Sequence, residues 1–162
     1  MKALYFEEHG EREVLQYGDL PNLENKENHV LIKVEACALN NLDVWIRKGW
    51  PGLNLKMPHI GGSDVSGIVV EGKGSWKEGD KVVVDPGISS TLDSWTEKGL
   101  DSMSPGYKIL GEHIRGGCAE YICVPVDNVH KRPEGLTASQ AAAPLLAGLT
   151  AYRMLVTRAG IQ

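Results

Sequence analysis

The side chains in this sequence that could do chemistry are five histidines, three cysteines, and a few amides and carboxylates set close to glycines. His113, in GEHIRGG, lies beside glycines that let a loop approach a cleft, which makes it a candidate for substrate binding. His9, His29, His59 and His130 read as surface or strand-end residues, and no two of the five have the spacing of a metal-binding pair. A hydrolytic metal centre would have to gather Asp64, His59 and His113 from separate segments. Cys37, Cys118 and Cys123 are odd in number and sit in apolar alternating runs, the pattern of reduced, buried thiols rather than of a disulfide framework. No G-x-G-x-x-G follows a strand: Gly72 and Gly74 belong to a turn between strands, and Gly116–Gly117 has no helix after it. Without that turn and its helix N-terminus, no pyrophosphate site is expected, and tight dinucleotide binding by this chain alone is not expected either.

The elements that must position these groups are mostly short strands. His29–Ala36 places Val30, Ile32, Val34 and Ala36 on one face and Lys33 and Glu35 on the other, the period of a half-buried strand. Val65–Glu71 and Lys81–Asp85 are β-branched runs joined by a segment whose Gly72, Gly74 and Gly79 supply positive φ, so they predict an antiparallel pair. Ala119–Val124 and Asn128–Lys131 predict two further strands, with Pro125 and Pro133 at ends or edges. Between the first strand and the pair lies NNLDVWIRKG, where Leu42, Trp45 and Ile46 recur at helical spacing, Asn40 or Asn41 can cap, and Gly49 can end the turn. From Leu136 the texture becomes helical, with Thr137 and Gln140 spaced as a capping box and Pro144 dividing two helical pieces that run to about Ala159. The second piece carries Leu145, Leu149, Tyr152 and Val156, an apolar face that needs a partner.

Composition sets the outer limits. A chain of 162 residues that is 42% hydrophobic can bury one core. Nineteen glycines and eight prolines, spread along the chain, favour many short strands over a helical bundle. A net charge of −4 without a basic stripe argues against nucleic-acid binding. The N-terminus lacks the pattern of a secretory leader and no apolar run approaches a membrane span, so the expectation is a cytoplasmic protein.

Five segments, ACALNNLDVWIRKG, PHIGGSDVSGIVV, WKEGDKVVVDPG, ILGEHIRGGCAEYICVP and AAAPLLAGLTAYRML, occur in an order that resembles the N-terminal half of medium-chain dehydrogenase/reductases. Within them the chain looks nearest to the quinone-oxidoreductase-like and zinc-type alcohol-dehydrogenase-like members. The resemblance implies a mainly β fold: a GroES-like, partly open β-barrel over 1–135 with short helices, then a C-terminal helical segment, 136–162, leading into a Rossmann domain that would hold NAD(P)H. On that reading the chain is the substrate-side part of an NAD(P)H-dependent oxidoreductase acting on a small carbonyl or quinone-like substrate, inactive by itself. A homodimer through the C-terminal helix would cover its apolar face. The competing reading is a freestanding GroES-like module that binds a ligand or partner through Trp45, Trp50 and that helix.

The resemblance also places the site. The zinc enzymes of the superfamily hold catalytic zinc where this chain has Asn40, Ser63 and a position near Leu146, and amide, hydroxyl and leucine side chains are poor substitutes for thiolate and imidazole. Their structural zinc lobe uses four cysteines at positions matching Ser90, Asp93, Thr96 and Ser104, so zinc is not expected at either place. Structural zinc supplies on the order of 10 kcal/mol of folding free energy, and without it Ile88–Pro105 is expected to be a flexible loop. Asn40 could orient a nicotinamide carboxamide or a substrate oxygen without metal, and Asp43 could orient Asn40 or a water, unless both only serve the start of the helix. Ser63 and Asp64 are then placed near the cleft as further catalytic candidates. Trp45, Arg47 and His113 are candidates for substrate binding and Thr150 for cofactor binding.

Overall fold

The alternating segment that begins at His29 forms the longest strand of the structure, a computed structural model that describes residues 1–89 and 92–161. In chain order the strands are β1 (Lys2–Tyr5), β2 (Gln16–Asp19), β3 (His29–Ala38), β4 (Asp64–Glu71), β5 (Lys81–Val84), β6 (Gly87–Ser89), β7 (Tyr107–Ile109), β8 (Tyr121–Pro125) and β9 (Val129–Lys131). The helices are α1 (Asn41–Lys48), α2 (Ala138–Ala142) and α3 (Leu145–Tyr152), the last continued by a π-helical turn over Arg153–Arg158. Five strands form one antiparallel sheet in the order β8-β3-β4-β5-β9, and β1–β2 and β6–β7 form two small antiparallel pairs. The protein is mainly β, as expected.

Val30 and Ile32, Val65 and Val69, Val82 and Val84, and Ile122 and Val124 contribute to a single core on this sheet, which Ile88 and Leu110 join. Leu31 is buried as well, and α2 packs across β3 and β4. Arg132 forms an ion pair with Glu35, and its guanidinium also donates to the Gly67 carbonyl. Gly74 and Gly79 do have positive φ in the β4–β5 connection. Gly72 does not; it is required because a Cβ would lie 2.0 Å from the Trp76 carbonyl oxygen.

Three expectations need correction. His59 is not a surface residue: it is 1% exposed, and its Nε2 lies 2.9 Å from the Gly111 carbonyl oxygen. Burial holds its pKa below the ordinary imidazole value, so it packs as a neutral ring against Phe6. The cysteines are half-buried free thiols rather than fully buried ones.

The third correction concerns Ile88–Pro105, expected to be a flexible loop. Its described part carries two 3-10 turns, Thr96–Lys98 and Asp101–Met103, next to the β6–β7 pair. The Asp93 carboxylate organises it, accepting from Ser104 Oγ at 2.6 Å, Trp95 N at 2.8 Å and Thr96 N at 3.0 Å. Three of the four positions matched to lost zinc ligands thus cross-link one another by hydrogen bonds; the fourth, Ser90, lies outside the described residues. The Ser104 hydroxyl, then the Thr96 amide, hold the Asp93 pKa below 3.8. The contribution of a carboxylate lowered in this way is present above its unfolded value and lost as pH falls through its folded one. Asp93→Ala is therefore expected to speed hydrogen exchange of the Trp95 and Thr96 amides several-fold at neutral pH while the five-stranded sheet keeps its protection. Unchanged exchange at those two amides would show that the lobe does not depend on this carboxylate.

Candidate functional site

The site forms where β3 runs out into α1. Asn40 is extended, at φ −124° and ψ 163°, and stands at the N-cap position in capping-box relation to Asp43, yet its side chain makes no regular hydrogen bond to the helix. The Asp43 N–H goes instead to the Asn40 backbone carbonyl at 3.1 Å. The firm half of the box is the Asp43 carboxylate, whose Oδ2 accepts the Asn40 backbone N–H at 2.7 Å while Oδ1 accepts the Gly62 N–H at 2.7 Å. The Asn40 amide turns to Asp64, donating from Nδ2 to Oδ2 at 2.9 Å. Asp64 Oδ1 accepts the backbone N–H of Leu146 at 2.6 Å, at the start of α3. Two carboxylates therefore fix Asn40, one by its main chain and one by its side chain.

Charge and burial follow from this geometry. Asp64 is 1% exposed and its pKa is raised, burial being the cause, opposed by the hydrogen bonds from Asn40 and Leu146. A carboxylate only accepts, so Asn40 must present its NH2 group to Asp64 and its carbonyl oxygen to the other side. That oxygen stands in capping-box relation to the Asp43 N–H, whose regular bond is to the Asn40 main chain, and an amide oxygen has a second lone pair that can accept from a ligand.

The remaining expected site residues divide. Trp45 is 60% exposed, so it is not a core residue, and with Trp50, Lys48 and Gly49 it lines an open, largely apolar cavity of about 430 Å³. Ser63 is a correction: it is 0% exposed and its hydroxyl is spent on the Leu110 carbonyl at 2.6 Å, so it reaches no cleft. The Arg47 guanidinium donates to the Gly10 carbonyl at 2.6 Å and approaches Glu11, pinning the N-terminal loop to α1. His113 closes its own turn by accepting the Ile109 N–H at 3.1 Å. Thr150 is exposed and donates to the Leu146 carbonyl of its own helix at 2.8 Å. His59, His113 and Asp64 are not brought together, and among the described residues no group of three His, Cys, Asp or Glu side chains is placed to hold a metal ion.

Sequence reasoning missed the Leu146 amide. Its signal was Pro144, which starts a helix whose first N–H groups have no internal acceptor and need a carboxylate or water. It also missed Gly62, whose φ of +93° turns its N–H toward Asp43.

The family model for the alcohol dehydrogenase GroES-like domain matches residues 26–134. The chain belongs to that family. This GroES-like domain is 35% identical over 161 residues to an alcohol dehydrogenase of Geobacillus stearothermophilus, covering 96% of the chain and 46% of that protein. It is 32% identical to human quinone oxidoreductase, covering 100% of the chain and 43% of that protein. Among solved structures, an NAD-dependent alcohol dehydrogenase superposes with a TM-score of 0.95 at 40% identity over 100% of the chain and 48% of its own length. The chain thus spans about half the length of the relatives it matches, as an N-terminal part of a medium-chain dehydrogenase/reductase does. The partly open barrel and C-terminal helix are those of this GroES-like fold.

The residues standing where zinc enzymes of the superfamily have ligands do not fit a zinc ion. Asn40 directs N–H toward the centre, Ser63 is committed to the Leu110 carbonyl and Leu146 contributes a backbone N–H, so the group at the centre is a carboxylate already supplied with donors. A cation needs lone pairs at those places, and this arrangement offers hydrogens.

Proposed function

We propose that this GroES-like domain, with 1–135 as barrel and 136–162 as linking helices, is the substrate-side part of an NAD(P)H-dependent oxidoreductase that works without catalytic zinc on a small carbonyl or quinone-like substrate. The observation that carries the reading is Asn40, held through its main chain by Asp43 and through its side-chain NH2 by Asp64, which leaves a lone pair of its carbonyl oxygen for a ligand. The nicotinamide, bound outside this chain, would supply the hydride. Asn40 would orient the carboxamide of the ring or, through a water, the acceptor oxygen; Asp43 and Asp64 are positioning residues. Trp45 and Trp50 would supply apolar wall against the acceptor.

The apolar surface of α3 and its continuation, with Leu149, Tyr152, Met154 and Leu155 exposed, supports a reading in which the chain does not stand alone. The rest of a longer protein or a second copy would cover it. The alternative of a freestanding binding module draws on the same surface. No helix among the described residues is long and apolar enough to cross a membrane, and the proposed location is the cytoplasm.

The test is made on the protein from its native source, captured by antibody against this domain. The expected species is about twice the size of this chain, given the relatives' lengths, and oxidises NADH or NADPH with a quinone or carbonyl acceptor. Exhaustive chelation is expected to change that rate by less than about twofold, because no hydride-transfer step here uses a Lewis acid. A native species of this chain's size would overturn the oxidoreductase reading, and loss of activity on chelation, restored by zinc, would overturn the metal-free one.

A further inference from the structure

Cys37, near the end of β3, and Cys118, shortly before β8, bring their sulfurs to 3.9 Å. Both are free thiols and half-buried, so a small oxidant can reach them. Their bulkless neighbours are glycines: a Cβ at Gly62 would be 2.5 Å from Cys37 Sγ and 2.7 Å from Cys118 Sγ, and one at Gly117 would be 3.5 Å from Cys37 Sγ. Cys123 is apart from them, its thiol directed at Asn25 Oδ1 at 3.6 Å. Nothing in the proposed reaction uses these sulfurs. We propose that Cys37 and Cys118 form a redox-active dithiol that hydrogen peroxide closes to an intramolecular disulfide beside the Asn40 site.

A disulfide requires an S–S length of about 2.05 Å, so the sulfurs must close by roughly 2 Å. That closure takes side-chain rotation and a small backbone shift, and no side chain at Gly62 or Gly117 stands in its way. The thiol of Cys37 stabilises a thiolate at Cys118, and that contact, then burial, pushes Cys37 itself up, so Cys118 is the attacking sulfur. Its thiolate attacks the peroxide, breaking the O–O bond to give a sulfenic acid and, with a proton from solvent, water. Cys37 then attacks the sulfenic sulfur, the S–S bond forms, and the hydroxyl leaves as a second water with the Cys37 proton. The two thiols lose two electrons in total and the peroxide is reduced to two waters. The site senses the change through Gly62, which is packed so close to both sulfurs that a Cβ would collide with them and which donates its N–H to Asp43.

The test uses the whole chain and hydrogen peroxide, with free glutathione in a parallel tube as a measure of oxidant. The expected product is monomeric, lighter by two hydrogens, with one alkylatable thiol left and a single linked peptide joining Cys37 to Cys118; dithiothreitol restores all three thiols. Cys37→Ser and Cys118→Ser should each abolish that species, and Cys123→Ser should keep it. The proposal is overturned by thiols that stay unchanged where glutathione has been oxidised, by oxygen addition without a link, or by links that use Cys123 or join two chains. The mass readout is independent of oxidoreductase activity, so this inference and the proposed function can fail separately.

Discussion

Gly116→Ala is expected to destabilise the fold by about 3 kcal/mol or more, seen as a lower urea midpoint with an unchanged slope. A Cβ on Gly116 would lie 2.1 Å from the Gly62 carbonyl oxygen, 2.5 Å from that of Gly61 and 2.7 Å from the Gly111 Cα. All three obstacles are backbone, so no side chain can rotate out of the way. The two passing segments are also tied together, by Gly116 N to Ile60 O at 2.7 Å, Gly117 N to Gly62 O at 2.8 Å and Cys118 N to Gly61 O at 3.0 Å. Relieving the clash means opening that ladder, and with it the Gly62 N–H that fixes Asp43. Gly135→Ala provides the comparison: φ there is +83° with open space around it, so only left-handed strain of about 1–2 kcal/mol is expected. Equal costs for the two substitutions would mean that the close approach at Gly116 relaxes easily.

These glycines mark the boundary of what could be read from sequence. The large strands were legible because Val30, Ile32, Val65, Val82 and Val84 impose a period of two over runs long enough to show it. The pairs β1–β2 and β6–β7 were not, since segments such as Gln16–Asp19 and Gly87–Ser89 are too short for periodicity and gain their order from pairing. Asn40, Asp43 and Asp64 were found by type and resemblance, and the structure brings these three together. Ser63 and Arg47 shared the same local signals and are occupied elsewhere, Ser63 by Leu110 and Arg47 by Gly10. What separates the two groups is the direction in which a side chain finds its nearest unpaired partner, a tertiary property that spacing does not carry. His59 shows the same limit: a histidine beside a proline at a chain bend reads as surface until Phe6 and the Gly111 turn close over it.

Asp64 separates stability from orientation of the site. Asp64→Ala removes the acceptor of two N–H groups, from Asn40 and Leu146. An N–H left without a partner in a buried place costs about 1–3 kcal/mol, and relief of the buried charge offsets part of it, so a net loss of about 2 kcal/mol is expected. Asp64→Asn should stay within about 1 kcal/mol of the original protein, because its carbonyl still accepts from Leu146 while its new NH2 faces Asn40. To meet that NH2, Asn40 must flip, presenting its own NH2 where its carbonyl oxygen stood. The proposed activity, measured in the native oxidoreductase, should then fall by about 10- to 100-fold although the fold is intact. The pH dependence identifies the cause. With a folded pKa raised above 3.8 by burial, Asp64 contributes stability that is complete below its unfolded value and is lost as pH rises through the folded one. The stability of Asp64→Asn relative to the original protein should therefore improve from about pH 4 to about pH 7, and because Asp93 is common to both proteins its opposite dependence cancels. A difference that stays flat across that range would mean that Asp64 is not held in a raised state, while a variant that keeps full activity would remove Asn40 orientation from the mechanism.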